Sequence, residues 1–170
     1  MANIAVIESF NNNLSKTLIN VNFGDNMYPK ISEKTQQKLI FKFGLEREET
    51  VLFYQESGIL IKKCSFVLTD KGVYYKDGKQ QNAFIWKDVI DIWWEISPGS
   101  IPDYVDFHFS TTQGECAIFM CEFGIIKKDE IEYVEPVVNG LKQMVVSAKG
   151  CEGRISSNQS RSPFLSKYGK

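Results

Sequence analysis

Two periodicities divide the chain. From Ile4 onward, Ile7, Phe10, Leu14 and Leu18 recur at helical spacing, which predicts a short amphipathic helix in spite of the Asn11 to Asn13 run, whose side chains compete for backbone hydrogen bonds. After the loop NFGDNMYPK, Ser32 is placed to cap a second helix over residues 33–43. Leu39, Ile40 and Phe43 share one side of it, and Gly44 is the stop signal.

From Thr50 the helical period gives way to short blocks of β-branched and aromatic residues. VLFYQES, ILIKKCSFVL and GVYYK are separated by Gly58 and by Asp70-Lys71-Gly72, and Asp77-Gly78 follows the last of them. In Thr69-Asp70-Lys71-Gly72 a type I turn followed by a left-handed glycine is expected to join two strands with a bulge. Thr111-Thr112-Gln113-Gly114 repeats that pattern. It follows a strand in which Val105, Phe107 and Phe109 alternate with Asp106, His108 and Ser110, so one face is dry and the other wet, and it precedes a strand over 115–122. AFIWKDVIDIWWEI supplies one or two more strands around Lys87-Asp88, and PGSIPD at 98–103 is a proline-stiffened loop. The total is about seven strands between residues 50 and 123.

Helical spacing returns between Lys127 and Lys149, with Ile131, Val134, Val138, Leu141 and Val145 as the apolar stripe. Pro136 interrupts it. One helix bent at the proline is expected, the alternative being a short helix that ends near Val134 and a main one that begins at Pro136. The division of the chain is then a helical extension over residues 1–48, a β domain with its closing helix over 49–149, and a flexible, Ser- and Gly-rich tail over 150–170.

Seven antiparallel strands followed by one amphipathic helix need their sheet edges managed, and a small bent barrel plugged by the helix does so. VLFYQESGI, FVLTDKGVYYK and FIWKDVIDI, followed by the helix after CAIFMCEFG, resemble the corresponding pieces of bacterial pleckstrin-homology-like (PH-like) domains over about residues 45–148. The resemblance implies a mainly β fold, α+β overall: a seven-stranded bent antiparallel barrel capped by a C-terminal helix, here with an N-terminal helical extension. It also implies a non-catalytic adaptor or binding module, and it supplies no catalytic residues. The Lys and Arg spread with which phosphoinositide-binding PH domains hold phosphate is reduced here to Lys62 and Lys63 in the loop after the first strand.

Composition narrows the function without naming it. Lys and Arg total 20 against 21 Asp and Glu, a net charge of −1, so no overall field draws the chain to nucleic acid or to an anionic membrane. The four cysteines form no CxxC pair and His108 is the sole histidine, which argues against a metal site and points to reduced thiols in a cytoplasmic protein. The N-terminus lacks the pattern of a signal peptide, and no stretch reaches the roughly 18 apolar residues of a membrane span. No catalytic motif spacing is present, so no enzyme activity and no cofactor are expected.

Three groups of residues remain as candidates. Trp93 and Trp94 are adjacent in a strand and therefore face opposite sides; one is expected in the core and the other free to meet a protein partner or a second copy, unless the N-terminal helices cover it. Lys62, Lys63, Lys76 and Lys79 are placed to gather at one rim as an anion or lipid patch, with solvated surface lysines as the plainer reading. His108 is expected as a solvated or edge residue. A pocket near His108 and Trp94, for a small molecule or a reaction, is the third reading.

Overall fold

Asn3 begins the first helix by accepting the Val6 amide on its side-chain oxygen. α1 (Ile4–Ser9) runs through one π-helical turn, Phe10–Leu14, into α2 (Ser15–Asn20). The computed structural model describes residues 2–21, 24–56, 64–77, 80–96, 105–120 and 128–150. Lys62, Lys63, Lys79, the 98–103 loop, the part of the second strand expected before Cys64, and the tail from 151 onward lie outside them. Val6, Phe10, Leu14 and Leu18 are fully buried, each four residues from the last, while Ile7 is only half-buried. Four residues overshoot one α-helical turn by about 40°. The wider π turn takes back part of that drift and holds the four side chains on one line. It falls on the asparagine run, where Asn13 Nδ2 donates to the Ser9 carbonyl at 3.0 Å.

α3 (Glu33–Phe43) starts and stops where its end signals predict. The Ser32 hydroxyl accepts the Thr35 amide, and Gly44 takes the left-handed conformation, φ 69°. Two side chains from the sheet below satisfy carbonyls at its C-terminus. Lys76 Nζ donates to the Lys42 carbonyl at 2.8 Å and Gln81 Nε2 to the Phe43 carbonyl at 2.8 Å.

The strands form two antiparallel sheets. β1 (Val51–Glu56), β2 (Cys64–Thr69), β3 (Gly72–Asp77) and β4 (Gln80–Ile85) pair in that order, as do β5 (Val89–Ile96), β6 (Val105–Thr111) and β7 (Gly114–Met120). About seven strands were expected, and among the described residues seven are found. The single closed barrel is not: among the described residues no ladder joins β4 to β5. The 3-10 turn Trp86–Asp88 parts the two sheets, with Trp86 fully buried at the corner and its Nε1 donating to the Thr69 carbonyl at 2.8 Å.

The two hairpin turns within the described residues, at 69–72 and 111–114, are each organised by a threonine. Thr69 Oγ1 accepts the amides of Lys71 and Gly72 and donates to the Gly72 carbonyl, and Thr111 Oγ1 likewise takes the Gln113 amide and reaches the Gly114 carbonyl. The left-handed glycine expected in the first turn is absent; positive φ occurs in the second, at Gly114, φ 116°. Gly72 meets a different demand. A Cβ there would stand 2.1 Å from the Phe84 carbonyl oxygen of β4, so only glycine lets the two backbones approach.

Asp70, in the first turn and fully buried, ties distant segments together. Its Oδ1 accepts the Thr50 amide at 2.7 Å and its Oδ2 the Asn3 amide at 2.6 Å. One carboxylate thereby fixes the entry to β1 and the start of α1.

The proline question at the C-terminal helix resolves against a single bent helix. A 3-10 segment, Lys128–Tyr133, precedes α4 (Val134–Lys149), which places Pro136 in the first turn, where an N–H has no intrahelical partner to lose. α4 buries two stripes. Val134, Val138, Leu141 and Val145 are those the sequence predicts; Val137, Gly140 and Met144 form a second, and at Gly140 the helix meets Leu14 of the N-terminal helix. The main core joins this helix pair to the inner faces of both sheets, including Phe53, Phe66, Ile92, Trp94 and Phe107. A smaller core, with Leu39, Phe43, Val51 and Val67, lies between α3 and the outer face of the first sheet. β1 and β2 are therefore buried on both sides, which explains why they read as nearly continuous apolar runs, whereas β4 is largely exposed. A bulge between Val51 and Phe53 lets the consecutive Leu52 and Phe53 both enter the main core.

Candidate protein-binding face

Strand alternation separates the two tryptophans, and the structure assigns their sides. Trp94 is inside, 3% exposed, and its indole Nε1 donates to Glu135 Oε1 in the first turn of α4 at 2.8 Å. That contact removes Trp94 from the residues a partner can touch in this conformation. Trp93 is on the other face and half-buried. The main contacts of the N-terminal helices are with α4, and α3 packs on β3. What lies flat against the Trp93 indole is the imidazole of His108, its cross-strand partner, with ring centroids 3.8 Å apart and planes 5° apart.

His108 is accordingly more enclosed than the expected solvated position, with a side chain 11% exposed. Its Nε2 lies 3.3 Å from Glu95 Oε1, within ion-pair reach, although the atom makes no aligned hydrogen bond among the described residues. Because β6 places Phe107 opposite Trp94 and His108 opposite Trp93, His108 and Trp94 are on opposite faces of one sheet. They cannot line one pocket. The inward face there is occupied by Ile92, Trp94, Phe107 and Phe109.

The outward face of β5 carries carboxylates beside the aromatic pair. Glu95 stands directly opposite Asp106, and its side chain is 40% exposed. Asp91, one pleat away on the other side of Trp93, is 3.6 Å from Lys142 Nζ of α4 and also accepts the Ile92 amide.

Of the four lysines considered for an anion patch, Lys76 is the one within the described residues. Its ammonium caps α3 and sits 5.8 Å from the centre of the Phe43 ring. Lys42 and Lys38 are paired with Glu56, whose carboxyl is held below its ordinary range chiefly by the Lys42 hydrogen bond. Among the described residues no three His, Cys, Asp or Glu side chains come together as metal ligands, and no helix is long and apolar enough to cross a membrane.

Sequence reading passed over other exposed apolar side chains. Phe41 on α3 is 93% exposed, and Ile85 and Ile90 stand out on either side of the 3-10 corner. The signal for Phe41 was available in principle, since it lies off the Leu39 and Phe43 stripe of its helix. The partner of Trp93 was not, because strand register sets it. Comparison with known proteins returns no match among family models, curated proteins or solved structures.

Proposed function

We propose that this protein is a non-catalytic binding module of PH-like type that recognises a protein partner through the aromatic face of β5 and β6. Two things support the PH-like reading: the residues of the FVLTDKGVYYK hairpin, and seven consecutive antiparallel strands, four in one sheet and three in the next, ahead of a terminal helix. The observation that carries the binding reading is Trp93. A large aromatic held rigid by a parallel imidazole, on the sheet face away from the core, loses little side-chain entropy on contact with a partner, which is the usual character of an interface anchor.

Affinity capture with the full chain tests it, using wild type, Trp93→Ala and, as a comparison on a different surface, Phe41→Ser. The expected result is a partner retained by wild type and by Phe41→Ser and lost with Trp93→Ala. Identical recovery from wild type and Trp93→Ala, with light scattering showing a monomer in both, would remove the reading.

A further inference from the structure

The outward N–H and C=O groups of an edge strand can pair with another chain, and folded proteins guard such edges with bulges, charges or covering segments. β1 carries a bulge between Val51 and Phe53, and its outer side is bridged by Met27, with the Tyr28 amide on the Leu52 carbonyl at 2.9 Å. At β5, Lys149 of α4 occupies the Val89 carbonyl at 2.6 Å. Among the described residues β4 has no such guard. It pairs with β3 over six consecutive positions without a shift, it contains no proline and no charged residue, and Gln81, Asn82, Ala83 and Ile85 are exposed. The register fixes which of its backbone groups point outward. The Trp86 amide donates to the Lys71 carbonyl at 3.0 Å, so that pair is a hydrogen-bonded one. Hydrogen bonds fall on every second pair of an antiparallel ladder, which makes Val73 with Phe84 and Tyr75 with Asn82 the next. The N–H and C=O groups of Gln81 and Ala83 and the N–H of Ile85 therefore point away from β3, and among the described residues no hydrogen bond reaches them.

We propose that β4 pairs antiparallel with β4 of a second copy of this chain, about a two-fold axis at Ala83, so that the two first sheets become one. Ala83 exchanges both outward hydrogen bonds with Ala83 of the second copy, and the Ile85 amide donates to the Gln81 carbonyl of the second copy. Charge favours a copy over a foreign strand. Uncharged β4 offers a charged strand no counter-charge, whereas an antiparallel copy sets no like charges opposite each other within Gln80–Ile85. Side-chain size agrees: the residue that must face itself on the axis is alanine, and Ile85, 47% exposed, comes to lie beside Gln81 of the second copy. The assembly closes at two, since each copy has one β4 and the far edge of its sheet is bridged by Met27. The Trp93 face belongs to the other sheet and stays free.

Sedimentation equilibrium of the full chain, from micromolar to sub-millimolar concentration, tests this with Ala83→Lys, Ala83→Glu and Trp93→Ala. Wild type and Trp93→Ala are expected as dimers. Each charged variant alone sets like charges against each other on the axis and is expected to associate at least about ten-fold more weakly, at unchanged circular dichroism. An equimolar mixture of the two is expected to form the dimer again, a rescue that variants merely damaged in folding would not show. Wild type sedimenting as a single chain throughout, or Ala83→Lys associating as strongly as wild type, would overturn the proposal. Loss of the dimer in Trp93→Ala but not in Ala83→Lys would move self-association to the aromatic face and overturn it too. So would a different protein captured by monomeric wild type and lost with Ala83→Lys, which would put a foreign strand on the edge.

Discussion

Gly140 of α4 presses against the backbone of Leu14: a Cβ at Gly140 would stand 3.0 Å from both the Cα and the Cβ of Leu14. The contact sets how closely the N-terminal helix lies on α4. Two effects oppose each other in Gly140→Ala. Alanine gains up to about 1 kcal/mol of helix propensity, while overpacking against a main-chain atom costs about 1 to 3 kcal/mol. Backbone cannot swing aside as a side-chain tip can, so a net loss of about 1 kcal/mol is expected. Thermal denaturation should show a midpoint lower by roughly 2 to 4 °C.

Asp70→Asn should loosen the same helix from its other end. One carboxylate oxygen becomes an amide donor facing a backbone donor, at Asn3 or at Thr50, in a fully buried site. A loss of about 2 to 3 kcal/mol is expected. Hydrogen exchange should find faster opening of residues 4–20 than of β2 and β3.

The two hairpin glycines should fail for different reasons. Gly72→Ala forces a methyl group to 2.1 Å from the Phe84 carbonyl and must part β3 from β4, so urea unfolding should show a loss above about 3 kcal/mol or no folded protein. Gly114→Ala meets open space but holds φ at 116°, and strain alone, about 1 to 2 kcal/mol, is expected. Equal effects would contradict this assignment.

Tyr74 should make the protein sensitive to alkali. Burial, and after it the hydrogen bond to Glu49 Oε1 at 2.6 Å, push its hydroxyl above the ordinary range. A group whose pKa is raised by folding keeps its proton in the folded state after the unfolded chain has lost it, so stability is full below about pH 10 and falls as pH rises further. Denaturant midpoints measured from pH 8 to 11 should decline, and Tyr74→Phe should flatten the decline. At pH 7 the same substitution should cost about 1 to 2 kcal/mol, because it removes a hydrogen bond from the buried Glu49 carboxylate, whose Oε2 has no hydrogen-bond partner among the described residues.

Lys76→Met should destabilise the protein by about 0.5 to 1 kcal/mol, since the methionine can still pack beside Phe43 but no longer answers the Lys42 carbonyl at the negative end of α3. Far-ultraviolet circular dichroism on heating should report the change as a lower midpoint with no loss of initial helix signal.

What the amino-acid order determined by itself is whatever acts over a few residues. Ser32 and Gly44 bound α3 because capping groups answer only their own helix end, and the threonine-led turns are in place because a hydroxyl reaches amides two and three residues on. The opposite sides of Trp93 and Trp94 follow from strand alternation, and the first stripe of α4 from its period. Tertiary structure decided the rest. It chose which tryptophan is buried by bringing Glu135 to Trp94, and it stacked Trp93 on His108 through a register spanning an intervening loop. It made Gly72 a point of backbone contact, gave α4 a second buried stripe beneath the N-terminal helix, and assigned Lys76 to the end of α3. Each of these depends on which distant segment arrives at a given surface. Short-range preferences do not encode that outcome, because it is settled by packing the whole core at once.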